Sequence, residues 1–434
     1  MLLCKQYTSC LTALLSVALL IPDSVWAESA EAISLNEALR LALEHNPTII
    51  ASQREWEAAQ ARWTQSKALP NPEVELEFEG MSDVFGFGEF EERNFGLTQR
   101  ISVPLEWWYR LQAARFDVEM TRTAVFKMTK LDIATQVKVT YNRVLLGQKV
   151  LEFSEQNLRL AQDFLDKSRR RLETGDVPQL EVLRAEVEVG RAATQVAATR
   201  NALSGAKIEL NTLTGRDTDV AIEAIEELTY RPLGVDPDRL KKQALEQRPD
   251  WQGAEWAVAG ATARRRAAKA AVVPDLKVGL FRQTIRQPIG RDDFWRVDFG
   301  LEVPLWAFYR QRGRTAEAAA ELGRLEAEQE ARRNRILQEV EIAVLDLRTA
   351  AEQVEMFQDH MLLEVEEAYR VANRSYKEGK ATYLELLEAR RTLTEVRMEY
   401  AKVLFAHKEA LFALEKAVGG TIENSFTNDG ESEQ

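Results

Sequence analysis

The sequence predicts a mainly helical chain with a small β part, written as two copies of one architecture. Each copy is a long coiled-coil helical hairpin that carries two short strands. Three observations predict this. Motifs recur in the same order at a near-constant offset, a long proline-free stretch repeats apolar residues every seven positions, and four short segments alternate apolar with polar residues. Only 21 glycines and 12 prolines in 434 residues exclude collagen-like and disordered classes. The net charge of −12 leaves no expectation of nucleic-acid binding or of a general affinity for anionic lipid.

Residues 1–27 read as a signal peptide. Lys5 supplies the basic start, Leu11 to Ile21 the apolar run, and Val25 and Ala27 the small residues before a cut at Glu28. Cys4 and Cys10 both fall inside this segment, so the mature chain has no thiol for a disulfide or a metal. No other stretch approaches the length of a membrane-spanning helix, which leaves a β-barrel as the backbone-satisfied way to cross a bilayer.

The duplication is read from paired anchors. Asn46-Pro47 corresponds to Arg248-Pro249, and Pro72–Leu76 to Pro274–Val278. Ile101–Leu105 corresponds to Leu301–Leu305, and Gly175 with Leu180–Leu183 to Gly379 with Leu384–Leu387. The offset stays between 200 and 204. The first repeat is placed at 28–216, an inter-repeat segment at 217–237, the second repeat at 238–420 and a polar flexible tail at 421–434.

Hairpins are expected near 73–104 and 275–304. Val74, Leu76 and Phe78 alternate with glutamates, Phe95, Leu97, Ile101 and Val103 repeat the pattern with Gln99 as a flaw, and Leu276, Val278 and Leu280 make a shorter series. Val297, Phe299, Leu301 and Val303 alternate with Arg296, Asp298, Gly300 and Glu302. Period-two alternation gives one apolar and one polar face. A half-buried hairpin on a soluble core has this pattern too. The heavily charged polar face and the absence of a covering apolar layer favour membrane strands. Four strands cannot close a barrel with a lumen. Three chains supply twelve strands and a pore, so the sequence points to a homotrimer with a 12-stranded β-barrel.

From Leu105 to Thr174 there is no proline and one glycine, Gly147, which predicts a rod of roughly 100 Å. Val137, Val144, Leu151, Leu158, Leu165 and Leu172 form a heptad stripe, with Gly147, Ser154, Ala161 and Ser168 as small residues beside it. Strict heptads supercoil against a neighbour. The second repeat carries Val340, Leu347, Val354, Met361 and Ala368. Gly175 and Gly379 fit the left-handed position that ends a helix, and return helices are expected from Pro178 and Thr382.

These residues resemble the TolC-type outer-membrane efflux family. The Asn46-Pro47 break, the Leu69-Pro-Asn-Pro-Glu73 run into a strand, the Val103-Pro-Leu105 strand exit and the tips at Gly175 and Gly379 carry the likeness, which covers about Ser34 to Gly420. The Leu69–Val74 stretch is most similar to the branch serving heavy-metal efflux. The resemblance implies a trimeric channel continued by an α-helical tunnel, as the exit duct of a tripartite pump. Its partners would be a periplasmic adaptor, an inner-membrane pump and outer-membrane lipid. It also implies export of small solutes, with heavy-metal cations as one class. Gly175 and Gly379 would mark the hairpin tips that meet the adaptor. Glu181, Glu385 and Glu388 match acidic residues that ring the periplasmic aperture, and Tyr376 matches an aromatic that holds the closed state. The alternative for each glutamate is a solvated helix position. A cationic gate residue of some members is replaced here by Ala381, and the lipidated cysteine of many metal-branch members by Glu28.

Trp107, Trp108 and Tyr109, echoed by Trp306, Phe308 and Tyr309, follow the strand exits and suit either the membrane interface or helix packing. Arg110 and Arg310 beside them could meet lipid headgroups. No enzyme or cofactor is expected. His45, His360 and His407 are scattered, no Gly-Lys-Ser/Thr phosphate loop or Gly-x-Ser-x-Gly elbow occurs, and Gly86-x-Gly88 lacks a third glycine. The rival class is a periplasmic coiled-coil adaptor or binding protein.

Overall fold

A computed structural model describes residues 31–81, 90–101, 104–302 and 307–422. The expected signal peptide, the Gly86-x-Gly88 segment, Trp306 and most of the tail lie outside them. The first repeat begins with strand β1 (Glu31–Ile33), a short helix α1 (Leu35–His45) and a second helix α2 (Pro47–Ser66). The sequence dictates both helix starts. The Ser34 hydroxyl accepts the Glu37 N–H at 3.2 Å, and the Asn46 side chain accepts the Thr48 N–H at 2.9 Å ahead of Pro47, whose missing N–H costs nothing in the first turn.

Strands β2 (Glu73–Glu79) and β3 (Glu92–Ile101) follow, then helix α3 (Pro104–Met120), which continues through a π-helical stretch, Thr121–Lys127, into α4 (Met128–Glu173). The chain returns in α5 (Gln179–Thr214). Strand β4 (Ile222–Ala224) lies in the inter-repeat segment and pairs in parallel with β1. The second repeat runs α6 (Pro237–Gln247), α7 (Pro249–Ala270), β5 (Asp275–Arg286), β6 (Arg291–Glu302), α8 (Ala307–Met356), a π-helical stretch Phe357–Met361, α9 (Leu362–Lys377) and α10 (Tyr383–Val418).

The seam of the first hairpin follows the heptads. Val137 and Val144 are fully buried, and Ser154, Ala161 and Ser168 are more buried than the leucines beside them. Small residues let α5 approach. A Cβ on Gly147 would stand 3.0 Å from the Leu203 side chain. In the second hairpin Val340, Leu347 and Val354 are buried, but Met361 is only half-buried and Ala368 is exposed. The heptad expectation fails there for a geometric reason. The π-helical stretch Phe357–Met361 inserts extra chain into the helical turn and rotates the later positions off the seam.

The strands form one antiparallel sheet in the order β2-β3-β5-β6. Its register aligns Val74, Leu97, Leu280 and Val297 in one row, and Leu76, Phe95 and Trp295 in the next with Arg282 between them. Ile101, Leu276 and Leu301 make a third row on that face. The face is uncovered, with Phe299 76% and Leu301 68% exposed. The opposite face holds Glu73, Glu75, Glu77 and Glu79 of β2 and the charged residues that alternate along the other strands. The sheet is open, and β2 and β6 each keep one unpaired edge. On the polar face the Phe281 ring lies flat over Gly96 and Gly279. A Cβ on Gly96 would meet it at 2.1 Å, so only glycine fits there.

Each proline break is tied to the end of its own repeat. The Asn46 amide donates to the Leu213 carbonyl at 2.9 Å, and the Arg248 guanidinium donates to the Ala417 carbonyl at 3.2 Å. Gly215 and Gly419, both with positive φ, close the two final helices at these joints. Beside the first joint the Tyr141 hydroxyl, on a side chain 1% exposed, donates to the Ile33 carbonyl at 3.0 Å and accepts the Ile225 N–H at 3.2 Å. Tyr141 thus fastens both strands of the β1–β4 pair to α4. Tyr141→Phe should destabilise the chain by roughly 1–3 kcal/mol. Differential scanning fluorimetry should show a lower unfolding midpoint, and hydrogen exchange should quicken at β1 and β4.

Candidate functional site: the two hairpin tips

Both tips are built the same way. The Gly175 N–H donates to the Leu172 carbonyl at 3.0 Å and the Asp176 N–H to the Arg171 carbonyl at 2.8 Å. The Gly379 N–H donates to the Tyr376 carbonyl at 3.1 Å and the Lys380 N–H to the Ser375 carbonyl at 2.8 Å. The glycines have φ of +80° and +71°. Nothing lies within 4 Å of a Cβ at either one, so backbone conformation and not crowding requires glycine.

The return helices start differently. Pro178 supplies no side-chain cap to α5, whereas Thr382 and Glu385 form a reciprocal capping box on α10. The Thr382 N–H donates to the Glu385 carboxylate at 2.7 Å, and the Glu385 N–H donates to the Thr382 hydroxyl at 3.4 Å. The backbone N–H of Thr382, aided by its hydroxyl, holds the Glu385 carboxyl below its ordinary value. Within one chain Glu385 is therefore a stabilised anion committed to its helix terminus.

The predicted acids do not converge in one chain. Glu385 and Glu388 are exposed and flank a shallow groove with Leu384, Val365 and Ala368. Glu181 is half-buried between the hairpins, where the Ser168 hydroxyl lies 3.5 Å from its carboxylate. Tyr376 is the residue that joins the tips. Its hydroxyl accepts a 2.6 Å hydrogen bond from Arg171 of α4, four residues before Gly175. Burial first, and the nearby Glu181 charge second, push the Tyr376 phenol up.

Sequence reasoning missed most of the joint. Phe164 of α4 stacks on Tyr383 of α10 with centroids 4.0 Å apart and touches the Tyr376 ring at 6.2 Å. Burial pushes the Tyr383 phenol up to about 12. Deeper in, Arg391 of α10 pairs with the buried Glu188 of α5, and Arg390 donates to the Asn157 side-chain oxygen of α4 at 2.9 Å. Burial holds the Arg390 guanidinium below its ordinary value. The one available hint was Arg171 in the last turn of a helix, where a cation suits the dipole.

Near the sheet, Trp108 is 51% and Tyr309 79% exposed, while Trp107 and Tyr109 are half-buried. The Trp107 indole N–H has no partner among the described residues. Phe308 lies in α8, and its side chain falls outside the described set. Arg110 lines a charged groove with Glu106, 3.8 Å off. Arg310 is exposed. Among the described residues no helix is long and apolar enough to cross a membrane, and no group of three or more His, Cys, Asp or Glu is placed to hold a metal ion.

A family model described as outer membrane efflux protein matches residues 38–216 and 240–420. The pyoverdine export outer membrane protein OpmQ of Pseudomonas putida is 25% identical over 435 residues, covering 93% of this chain and 90% of its own. The cobalt-zinc-cadmium resistance protein CzcC of Cupriavidus metallidurans is 25% identical over 374 residues, covering 84% of this chain and 85% of its own. The fold is similar to that of CusC, with a TM-score of 0.75 and 20% identity over 89% of this chain and 92% of that one. It is likewise similar to the Campylobacter jejuni CmeC outer membrane channel, with a TM-score of 0.76 and 14% identity over 90% and 86%.

Thr382→Ala should cost roughly 0.5–2 kcal/mol and speed hydrogen exchange in the first turn of α10. The Glu385 half of the box should be pH-dependent. Its folded-state pKa lies below the ordinary 4.5, so its stabilisation is in place above that pH and is lost as pH falls through the lowered value.

Proposed function

The chain belongs to the outer membrane efflux protein family and is an efflux channel of the outer membrane, and from that premise we propose that three copies close one 12-stranded barrel continued by a helical tunnel. The open four-stranded sheet carries this reading. Its apolar face is uncovered and its two edges are unpaired, and lipid tolerates neither edge. Edge-to-edge closure of β6 on β2 of a neighbouring copy removes both edges and turns the apolar face to lipid. The two matched spans support reading the chain as two repeats that share one role. The periplasmic adaptor alternative drops out with the family match.

In this reading the tips at Gly175 and Gly379 form the periplasmic mouth and meet an adaptor, which links the duct to an inner-membrane pump. Glu181, Glu385 and Glu388 surround the mouth, and the Arg171–Tyr376 bond holds the two tips of one chain together in the resting state. Half-exposed polar bonds of this kind are weak enough to open. The duct conducts small solutes and favours cations. The polar face of the sheet carries nine carboxylates against three cations, all of which line the lumen of the closed barrel. Metal cations fit that surface, as the name of the CzcC relative would suggest.

Native mass spectrometry of the detergent-solubilised chain should give a trimer, and a soluble monomer would overturn the proposal. Glu385→Gln with Glu388→Gln should weaken cation preference in planar bilayers, and an unchanged reversal potential would remove these acids from the mouth. Arg171→Leu should raise single-channel conductance at least twofold if the tip bond limits opening.

A further inference from the structure

Arg390 of α10 is a half-buried cation without an anion. It forms no ion pair among the described residues. One of its Nη nitrogens donates to Asn157 of α4, at the backbone carbonyl and, at 2.9 Å, at the side-chain oxygen. Its Nε–H is buried and has no partner among the described residues. Glu188 and Asp163 act on the guanidinium only from a distance, and each is engaged elsewhere, Glu188 with Arg391 and Asp163 with Lys167 at 2.6 Å. A charge drawn out of water with no counter-charge at bonding distance is costly to keep.

Arg390 lines a cavity of about 320 Å³ where α4 and α9 both pack against α10. That volume stands at the lower end of small-molecule sites, roughly 300–1,000 Å³. The charges of the cavity do not balance. Arg370, Arg390 and Arg397 line it against a single carboxylate, Glu366. Arg397 holds Glu366 at 2.7 Å, and Arg370 pairs with Glu367, which lies outside the lining. The charge left over is that of Arg390. Around it the wall carries apolar and aromatic side chains, Phe153 and Leu160 from α4, Tyr369 from α9 and Leu393 from α10.

A spare guanidinium among apolar and aromatic walls suits a ligand with one charged end and a flat apolar body. Parallel N–H groups of a guanidinium match the two oxygens of a carboxylate, and a planar ring gains from contact with aromatic neighbours. We propose that the cavity binds a small aromatic carboxylate, its charged end on Arg390 and its ring among Phe153, Leu160 and Tyr369. A bare inorganic anion would match the charge and leave the apolar wall uncovered. The ligand would bridge the two hairpins, because Phe153 and Leu160 belong to the first and Tyr369 and Arg390 to the second. The site lies within one chain, so it stands apart from the closure of three chains into a barrel.

The test is isothermal titration calorimetry of the full detergent-solubilised chain with benzoate, benzamide and inorganic phosphate. Benzoate should bind saturably. Benzamide, the same shape without the charge, and phosphate, the charge without the ring, should each bind about tenfold more weakly. Arg390→Gln should weaken benzoate binding about tenfold, and Arg390→Lys, which keeps the charge and loses the fork, should fall between that variant and the wild type. Arg169→Gln removes a cation that pairs with Glu186 outside the cavity and should change nothing. Leu160→Trp fills the cavity from a position 46% exposed, keeps every charge and should also lose benzoate, which carries the test should Arg390→Gln fail to fold. No saturable benzoate binding by the wild type, benzamide or phosphate binding as tightly as benzoate, undiminished affinity in folded Arg390→Gln or in Leu160→Trp, or equal loss in Arg169→Gln would overturn the site.

Discussion

An unpaired strand edge cannot be left in lipid. Each free N–H and C=O there lacks water and costs several kcal/mol, so a spanning sheet must close on itself. The sheet of this chain, β2-β3-β5-β6, has an apolar face, a charged face and two open edges. In the proposed barrel much else is arranged around that demand. Duplication supplies two hairpins instead of one, and the helices below the strands follow the order of the sheet, with α3 packed on α7 and α7 on α8. Gly96 is reserved so that the Phe281 ring can lie flat and leave room on the polar face.

Two kinds of interface hold the helical part, and they differ in strength. Within the first hairpin the seam is apolar and close-packed, with Val137, Val144 and Leu210 fully buried. Between the hairpins the contacts are largely polar. Lys138 pairs with Glu415 at 2.6 Å and Lys416 with Asp132 at 2.7 Å, and Arg391–Glu188 and Arg171–Tyr376 continue the series toward the tips. Burial of large apolar side chains is worth about 1.5–3 kcal/mol each and a half-exposed pair such as Lys416–Asp132 about 0–1 kcal/mol, whereas Lys138–Glu415 is largely buried and is costlier to break from one side. Within that line the exposed members, Lys416–Asp132 and Arg171–Tyr376, are weaker than the apolar seam of the hairpin.

The two repeats solve one joint with different chemistry. Asn46 caps its helix and reaches the Leu213 carbonyl, a neutral solution. Arg248 reaches the Ala417 carbonyl and needs Asp250 and Glu339 to balance its buried charge. Neighbouring carboxylates keep the Arg248 guanidinium charged against the cost of burial, and Arg248 with Arg332 holds the Asp250 carboxyl below its ordinary value. A buried pair of this kind is costly to break on one side, so the second joint depends on every member of its group.

Periodicity made the elements legible. The alternation at 73–104 and 275–304, the heptads of α4 and the glycines 175 and 379 are short-range features that the chain carries locally, and they sufficed to read helices, strands and tips. The seam of α8 was legible only as far as Val354, because a π-helical stretch leaves no mark in residue spacing. The tips were legible as places and not as contacts. Nothing in the spacing brings Arg171 to Tyr376 or Phe164 to Tyr383, more than 200 residues apart, because those pairs depend on how two supercoiled hairpins lie side by side. Likewise Arg110 and Arg266 look alike in the sequence. Only the rotation of each helix places Arg110 in a shared groove and leaves Arg266 exposed outside it. The sequence by itself determined the repeated elements and their faces, since those follow from local period. The tertiary structure decided which faces meet, since that follows from packing between segments far apart in the chain.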